Sequence, residues 1–386
     1  MELLERLRQL SSQMQFEPAE DTGCPQPALN CRTAESLNIS QALLPNGKRI
    51  SLLKTLLSSA CERNCNYCAF RSGRDFKRVH MGPDEMAQSF IQAYQAGIVQ
   101  GLFLSSGVAG SGVRTQDNLI ASAEILRKKY HFAGYIHLKL MPGSQYAQVE
   151  RSMQLANRVS LNLEAPNLHR LEKLAPRKAF FEELLQPLKW VDEIRQNQPA
   201  YKGFNGRWPS MTTQFVVGAV DETDLELLST TASLQNELHL GRAYFSAFRP
   251  VPETPFENEP STHPLRQHRL YQASFLLRDY GFDLEDLPFE PVSGNLPLAV
   301  DPKLAWARQN LAGSPLELNR ADRHDLLRLP GIGPRKADAI LRARRTGQFY
   351  SAAILSNLGI DLSRLSPFIL IDGKQPNRQL SFWSVG

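Results

Sequence analysis

"CERNCNYC", residues 61–68, follows closely on the apolar run "ISLLKTLL" at 50–57. The run reads as a buried strand, and "SSAC" at 58–61 as its polar end. The same rhythm continues to residue 281. Strand-like runs recur at 101–106 (GLFLSS), 135–141 (YIHLKLM), 158–164 (RVSLNLE), 211–220 (MTTQFVVGAV) and 242–248 (RAYFSAF). Helical patterns lie at 82–97, 115–130, 178–196, 223–238 and 263–281. Strand-then-helix order predicts parallel strands with crossover helices, and continuous apolar strands predict burial on both faces. Six units are too few to close an eight-stranded barrel. The expected fold is therefore α/β, a partial (βα)6 TIM-like barrel, with a doubly wound sheet as the alternative. Both place chemistry at the C-terminal ends of the strands. Those ends are polar or glycine-rich here: "SSGVAGSG" at 105–112, "NLEAPN" at 162–167 and "SAFRP" at 246–250.

The chain of 386 residues has room for two or three domains. It has no apolar run of eighteen residues, so no membrane partner is expected. The N-terminal "MELLERLRQLSSQ" lacks a signal-peptide core, which makes a cytoplasmic protein the expectation. Residues 1–48 read as an N-terminal helix and an irregular segment with Cys24 and Cys31, and 49–284 as the barrel. The Pro-rich 249–264 reads as a loop over the barrel mouth, and 285–315 as a linker. Residues 316–386 read as a small all-α domain. The net charge of +5 is mild, but two regions are basic. Residues 316–350 hold eight Arg/Lys against four Asp/Glu, and 61–80 hold five against two. Such regions fit a phosphate-rich partner, or simply a solvated helix face.

All five cysteines lie at or before Cys68, a clustering that points to metal or redox chemistry rather than a disulfide scaffold. Three thiolates, Cys61, Cys65 and Cys68, leave one iron of a cubane cluster open to a ligand. A structural zinc would need a fourth ligand, for which His80 and Cys24 are the candidates. Cys24 and Cys31 read either as a second metal or redox site or as two free thiols.

The C-x3-C-x2-C spacing after the first strand, with Tyr67 before the third cysteine, resembles the radical S-adenosylmethionine (SAM) superfamily. The resemblance implies that Cys61, Cys65 and Cys68 hold a [4Fe–4S] cluster whose open iron binds SAM. It also implies an electron donor such as flavodoxin or ferredoxin. Other positions match the superfamily's SAM contacts less closely. Ser105, Ser106 and Gly107 stand where a Gly-Gly-Glu-like segment binds the methionine amino group. Asn162 and Glu164 stand where polar residues contact ribose and carboxylate. Gln214, Val216 and Gly218 stand at an adenine-flanking segment, with Asp221 in the place of its acid. Lys139 could reach the SAM carboxylate.

Near the other end, "LNRADRHDLLRLPGIGPRKADAILRARR" reads as two short helices around a "PGIG" turn. Asn319 with Asp322 is the expected cap, Gly331 and Gly333 supply φ > 0, and Pro334 opens the second helix. Backbone N–H groups beside Arg335 and Lys336 would form an anion site. This resembles the helix-hairpin-helix motif, which grips a nucleic-acid backbone without reading sequence. "FYSAAILSNLGIDLSRLSPFI" resembles a degenerate second hairpin.

The two motifs together resemble a family of DNA modification or repair radical SAM proteins linked to a uracil-DNA-glycosylase-like partner. That implies an enzyme acting on DNA more readily than RNA. An RNA- or tRNA-modifying enzyme and a non-catalytic iron–sulfur sensor are the alternatives.

Overall fold

The computed structural model describes residues 3–16, 37–43, 47 and 49–376. Cys24 and Cys31 lie outside the described residues. A seven-stranded sheet runs in chain order: β1 (Ile39–Leu43), β2 (Arg49–Leu56), β3 (Gly101–Ser105), β4 (Tyr135–Lys139), β5 (Arg158–Ser160), β6 (Ser210–Val217) and β7 (Arg242–Ala247). The six expected strands β2–β7 are all parallel, and the sheet curls into a half-barrel. The sequence reading missed β1. It adds an antiparallel edge, with Ile39 opposite Leu53.

Helix α1 (Leu3–Ser12) precedes the sheet, and the crossovers are α2 (Pro83–Gln95), α3 (Gly112–Glu124), α4 (Tyr146–Leu155), α5 (Leu168–Leu174), α6 (Gln186–Asn197) and α7 (Asp224–Leu238). Helix α2 begins and ends on its sequence signals. Pro83 takes the first turn, the Glu85 carboxylate accepts the Gly82 N–H at 2.8 Å, and Gly97 stops it at φ +72°. The sequence reading also missed α4. Its cap pairs Gln145 with Gln148, outside the short Ser/Thr/Asp/Asn set that marks a helix start. Helix α3 starts at Gly112, where a Cβ would stand 1.9 Å from the Pro142 carbonyl oxygen. Only glycine lets these two strand-end loops meet there.

Strand alternation sorts the sheet into two unlike faces. Leu53, Leu102, Ile136, Val159 and Phe215 are buried on one. The other carries Lys54, Phe103, His137 and Arg158 side by side. Lys54 and His137 are buried there, the Lys54 ammonium 5.9 Å from the Phe103 ring centre. Both faces are covered, as expected, but one is polar.

Two compact units divide the chain: 1–222 with 233–263, and 223–232 with 264–386. The second holds α8 (Pro264–Asp279), α9 (Pro302–Asn310), a two-residue strand β8 (Leu316–Glu317), α10 (Arg323–Arg328), α11 (Pro334–Arg344), α12 (Ala353–Asn357), α13 (Leu362–Leu365) and β9 (Ile369–Leu370). Its core gathers Leu318, Leu326, Ile340, Phe349, Leu365 and Phe368. The short parallel pair β8–β9 stands beside the expected helices. Helix α8, placed with the barrel in the sequence division, groups with this unit. Its Arg266 meets the buried Asp224 carboxylate at 2.8 Å, and Asp224 also accepts the Leu296 N–H. Among the described residues, no helix is long and apolar enough to cross a membrane.

Lys303 braces the second unit by donating to the Ile332 carbonyl, its ammonium 4.6 Å from the Tyr280 ring centre. Burial pushes it down to about 7, against the opposing pull of Asp301. Above pH 7 the folded chain has released this proton while the unfolded chain still holds it, so stability rises with pH toward the ordinary lysine range. Denaturant titrations at pH 7 and pH 9 should show a larger gain for wild type than for Lys303→Met.

Candidate functional site

The cysteine loop leaves the end of β2 and is fixed on three sides. Toward β3, the Gly107 N–H donates to the Ser58 carbonyl at 2.7 Å and the Glu62 N–H to the Val108 carbonyl at 2.8 Å. A Cβ on Gly107 would stand 2.4 Å from the Ala60 carbonyl oxygen and 3.1 Å from the Cys61 Cβ. The glycine is thus required by close approach rather than by its φ. Ser105 is buried and Ser106 half-buried, the latter donating to the Gly107 carbonyl. On the second side, the Asn66 backbone donates to the Leu174 carbonyl and its amide to the Lys173 carbonyl, both at 2.8 Å. Arg63 pairs with Glu183 at 2.5 Å. On the third side, the Asn66 carbonyl accepts the Phe256 N–H, which brings in the expected mouth loop at 249–264.

Arginines bind the loop from within. Arg78 donates to the carbonyls of Ser59, Phe70, Arg71 and Arg74. Arg71 holds the Cys65 and Asn64 carbonyls, and Arg74 those of Ala69 and Pro252. This corrects the reading of 61–80 as a phosphate-facing region. Arg63, Arg71, Arg74 and Arg78 spend their donors on the protein's own oxygens. A loop without regular secondary structure has few regular backbone partners, so guanidinium groups satisfy its carbonyls.

Glu164 is the hub beside the cysteines. Its backbone continues the sheet beyond β5: the N–H donates to the Gln214 carbonyl at 3.0 Å, and its own carbonyl accepts the Val216 N–H at 2.8 Å. At φ +68° it sits in the left-handed region, which costs a non-glycine residue about 1–3 kcal/mol and marks a position held by its surroundings. The Tyr67 hydroxyl donates to one carboxylate oxygen at 2.7 Å and Lys178 Nζ to the other at 2.8 Å. The Lys178 and Glu164 side chains are only 9% and 5% exposed. Burial alone would pull the Lys178 ammonium down, but Cys65 and Glu164 hold it above its usual range. Burial, reinforced by Glu164, raises Tyr67 and keeps it a hydrogen-bond donor. Burial also pushes the Cys65 and Cys68 thiols up, while Lys178 draws both down. A bound metal centre, which is not part of this structure, would favour the thiolates further.

The sequence-predicted positions thus fall into groups. Cys61, Cys65, Cys68, Tyr67 and Glu164 come together, with Ser105, Ser106 and Gly107 along the loop's edge. Lys139 and Asn162 form a second pair at 2.6 Å. Gln214 and Val216 flank Glu164 through their backbones. Gly218 has φ +86°, and a Cβ there would stand 2.0 Å from Thr262 Oγ1, so packing and conformation explain it. The acid of that turn is Glu222 rather than Asp221. Glu222 is buried and its carboxylate accepts the N–H groups of Gly218 and Val220, whereas Asp221 turns the chain at φ +58°. Lys178 and Arg78 were missed. Nothing in sequence distance links Lys178 to Cys65; only its place just beyond "LAP" at 174–176 offered a signal.

The hairpin positions lie in the second unit. Gly331 is exposed at φ +81°, whereas Gly333 does not take the positive φ expected of it: at φ −107° it is extended and caps α11 without a side-chain bond. Arg335 is exposed, and Lys336 donates to the Gly331 carbonyl at 3.2 Å. The cap of α10 is Asp322 with Asp325, not Asn319 with Asp322. Asn319 instead bonds both the N–H and the carbonyl of Phe349, at 2.8 and 2.9 Å.

Residues 55–201 match the family model described as the radical SAM superfamily. The chain carries a radical SAM domain. A domain of this superfamily works with a [4Fe–4S] cluster and SAM, and three free thiols in one braced loop are a donor set that fits such a cluster. His80, offered for zinc, has an exposed side chain and a backbone bridge to Ser58. No curated protein matches the chain. Solved structures similar to it include methylornithine synthase (PylB), at 12% identity over 58% of this chain and 61% of that one, TM-score 0.47. HydG, a maturase of the [FeFe]-hydrogenase, is similar at 11% identity over 58% and 49%, TM-score 0.45. A radical SAM methyltransferase from Sphaerobacter thermophilus is similar at 16% identity over 66% and 74%, TM-score 0.43. The radical SAM domain's chain thus spans about half of HydG and three fifths of PylB.

Two changes outside the cysteines should weaken cluster loading in the radical SAM domain. Gly107→Ala displaces the Ala60 carbonyl, and Arg78→Ala frees four carbonyls of the loop. After anaerobic reconstitution, each should hold less than half the iron and sulfide of wild type, with unchanged far-ultraviolet circular dichroism.

Proposed function

We propose that the chain is a radical SAM enzyme that acts on nucleic acid, DNA in the first instance, with its cluster on Cys61, Cys65 and Cys68. Once bound, the cluster and SAM together supply a 5′-deoxyadenosyl radical able to abstract a hydrogen atom. The protein's part is positioning. Tyr67 and Lys178 clamp Glu164 and so lock the loop to the sheet edge. Ser105, Ser106 and Gly107, the Lys139–Asn162 pair, and Gln214, Val216 and Gly218 lie on the strand ends where SAM would be held. An electron donor such as flavodoxin or ferredoxin would reduce the cluster, and a reducing cytoplasm suits it.

One observation carries the nucleic-acid reading: the Leu329–Gly333 turn. Gly331 turns at φ +81° and Gly333 leaves the first N–H groups of α11 without a capping side chain, beside Arg335 and Lys336. A helix start with bare N–H groups and two cations suits a phosphate. The turn matches the helix-hairpin-helix pattern. The likeness to the uracil-DNA-glycosylase-linked DNA modification or repair family points the same way, and a glycosylase-like partner would then act on the same strand.

Two measurements test this. Cys65→Ala should abolish 5′-deoxyadenosine formation from SAM under reductant; retained formation would remove the assigned ligand set. Binding of a fluorescein-labelled 20-base-pair duplex should weaken steeply between 50 and 200 mM salt. Arg335→Ala/Lys336→Ala should lower the log–log slope by about two. A flat salt response would remove the hairpin's role, and preference for a tRNA over the duplex would move the substrate to RNA.

A further inference from the structure

The second unit has another basic feature, at the far end of α11 from the turn. Eleven residues of helix separate the two, about 16 Å at 1.5 Å per residue. A depression of about 660 Å³ opens there, lined by Asn319, Arg320, Arg344, Arg345, Thr346 and Gln348, with Leu341 and Gly347 completing it. No carboxylate lines it. Glu317, the acid nearest Arg320 in sequence, already accepts the N–H groups of Asn319, Asp372 and Gly373, and Asp372 also receives the Gln348 amide at 3.4 Å.

The three arginines differ in how they are held. Arg344 is tied by its guanidinium to the Ala321 carbonyl. Arg320 and Arg345 are exposed, with no hydrogen-bond or ion-pair partner within 4 Å among the described residues. Gly347 borders open space, where a Cβ would meet nothing within 4 Å. Asn319 bonds both sides of the Phe349 backbone, and Phe349 is buried. The next residue, Tyr350, is 74% exposed. One tied guanidinium, two exposed ones, of which Arg320 also acts through space on Glu317, and an exposed ring two positions along the chain from the lining Gln348 match a phosphodiester with an unpaired base next to it.

We infer that this depression binds a single-stranded nucleic-acid segment, with Arg320, Arg344 and Arg345 on phosphates and the Tyr350 ring stacked on a base. The site deepens the nucleic-acid reading and rests on it, but uses none of the hairpin residues. It supplies what the hairpin lacks, a hold on a strand whose bases are unpaired.

The test uses the full-length protein, reconstituted anaerobically, and two labelled probes: a dT20 single strand and a 20-base-pair duplex. Tyr350→Ala should weaken dT20 binding about tenfold and duplex binding less than twofold, and Tyr350→Phe should restore it. Arg320→Ala/Arg345→Ala should weaken dT20 at least tenfold and lower its salt slope by about 1.4. If Arg335→Ala/Lys336→Ala weakens both probes while these three variants bind dT20 like wild type, the depression is overturned and the hairpin reading stands. If only the depression variants lose dT20, the inference stands and the hairpin reading falls. If wild type binds neither probe, both fall.

Discussion

The first unit depends on one buried carboxylate with two partners. Glu164 receives a hydroxyl from the cysteine loop and an ammonium from the segment after α5, while its backbone is stitched to β6 on both sides. Three separate stretches of chain are therefore referenced to a single residue. Removing one partner from such a buried pair costs about 3–5 kcal/mol, because the other charge is left in a poor solvent. The strained φ at Glu164 is tolerable for the same reason, as each neighbour opposes its relaxation. The loop needs this anchoring because Cys61, Cys65 and Cys68 stand on residues with no regular secondary structure of their own.

Much of the architecture was legible because it rests on short-range periodicity. Runs such as 101–106 and 135–141 announce strands by composition, and Pro83 and Gly97 bracket α2 by backbone chemistry alone. β1 was not legible, since "ISQAL" is five residues of mixed character and gains its identity only by pairing with β2. α4 was lost because glutamines did the capping. The site divides in the same way. The cysteine spacing is local and was read directly, whereas Lys178 meets Cys65 only through the fold, 113 positions further along the chain. Glu222 and Asp221 are adjacent acids. Which one closes the turn is decided by which side chain faces inward, and sequence does not give that.

The two basic regions make the limit of composition plain. Counted as charges, 61–80 and 316–350 look alike. In the first, the guanidinium groups face carbonyl oxygens that the loop cannot satisfy by pairing, so their donors are consumed internally. In the second, helices satisfy most carbonyls themselves, and only some of the cations are taken. Arg328 meets Asp286 at 2.8 Å and lies against the Phe282 and Trp306 rings, Arg323 meets Asp338, and Arg344 takes one carbonyl. Arg320, Arg335, Arg342 and Arg345 stay exposed. What decides whether an arginine can serve a partner is the supply of unsatisfied backbone acceptors around it, more than the local charge count.

That distinction also bears on how the work is divided within the chain. The cations that brace the cysteine loop and its neighbours are committed: Lys178 to Glu164, Lys139 to Asn162, and the loop arginines to carbonyls. Recruiting them for a polyanion would dismantle the geometry around the cysteines. A phosphate-bearing substrate is better gripped where cations are spare, on helices whose backbones are already satisfied. The second unit has that property at both ends of α11. Under the proposed function, a backbone grip kept to the second unit would leave the residues around the cysteines to hold the cluster and SAM.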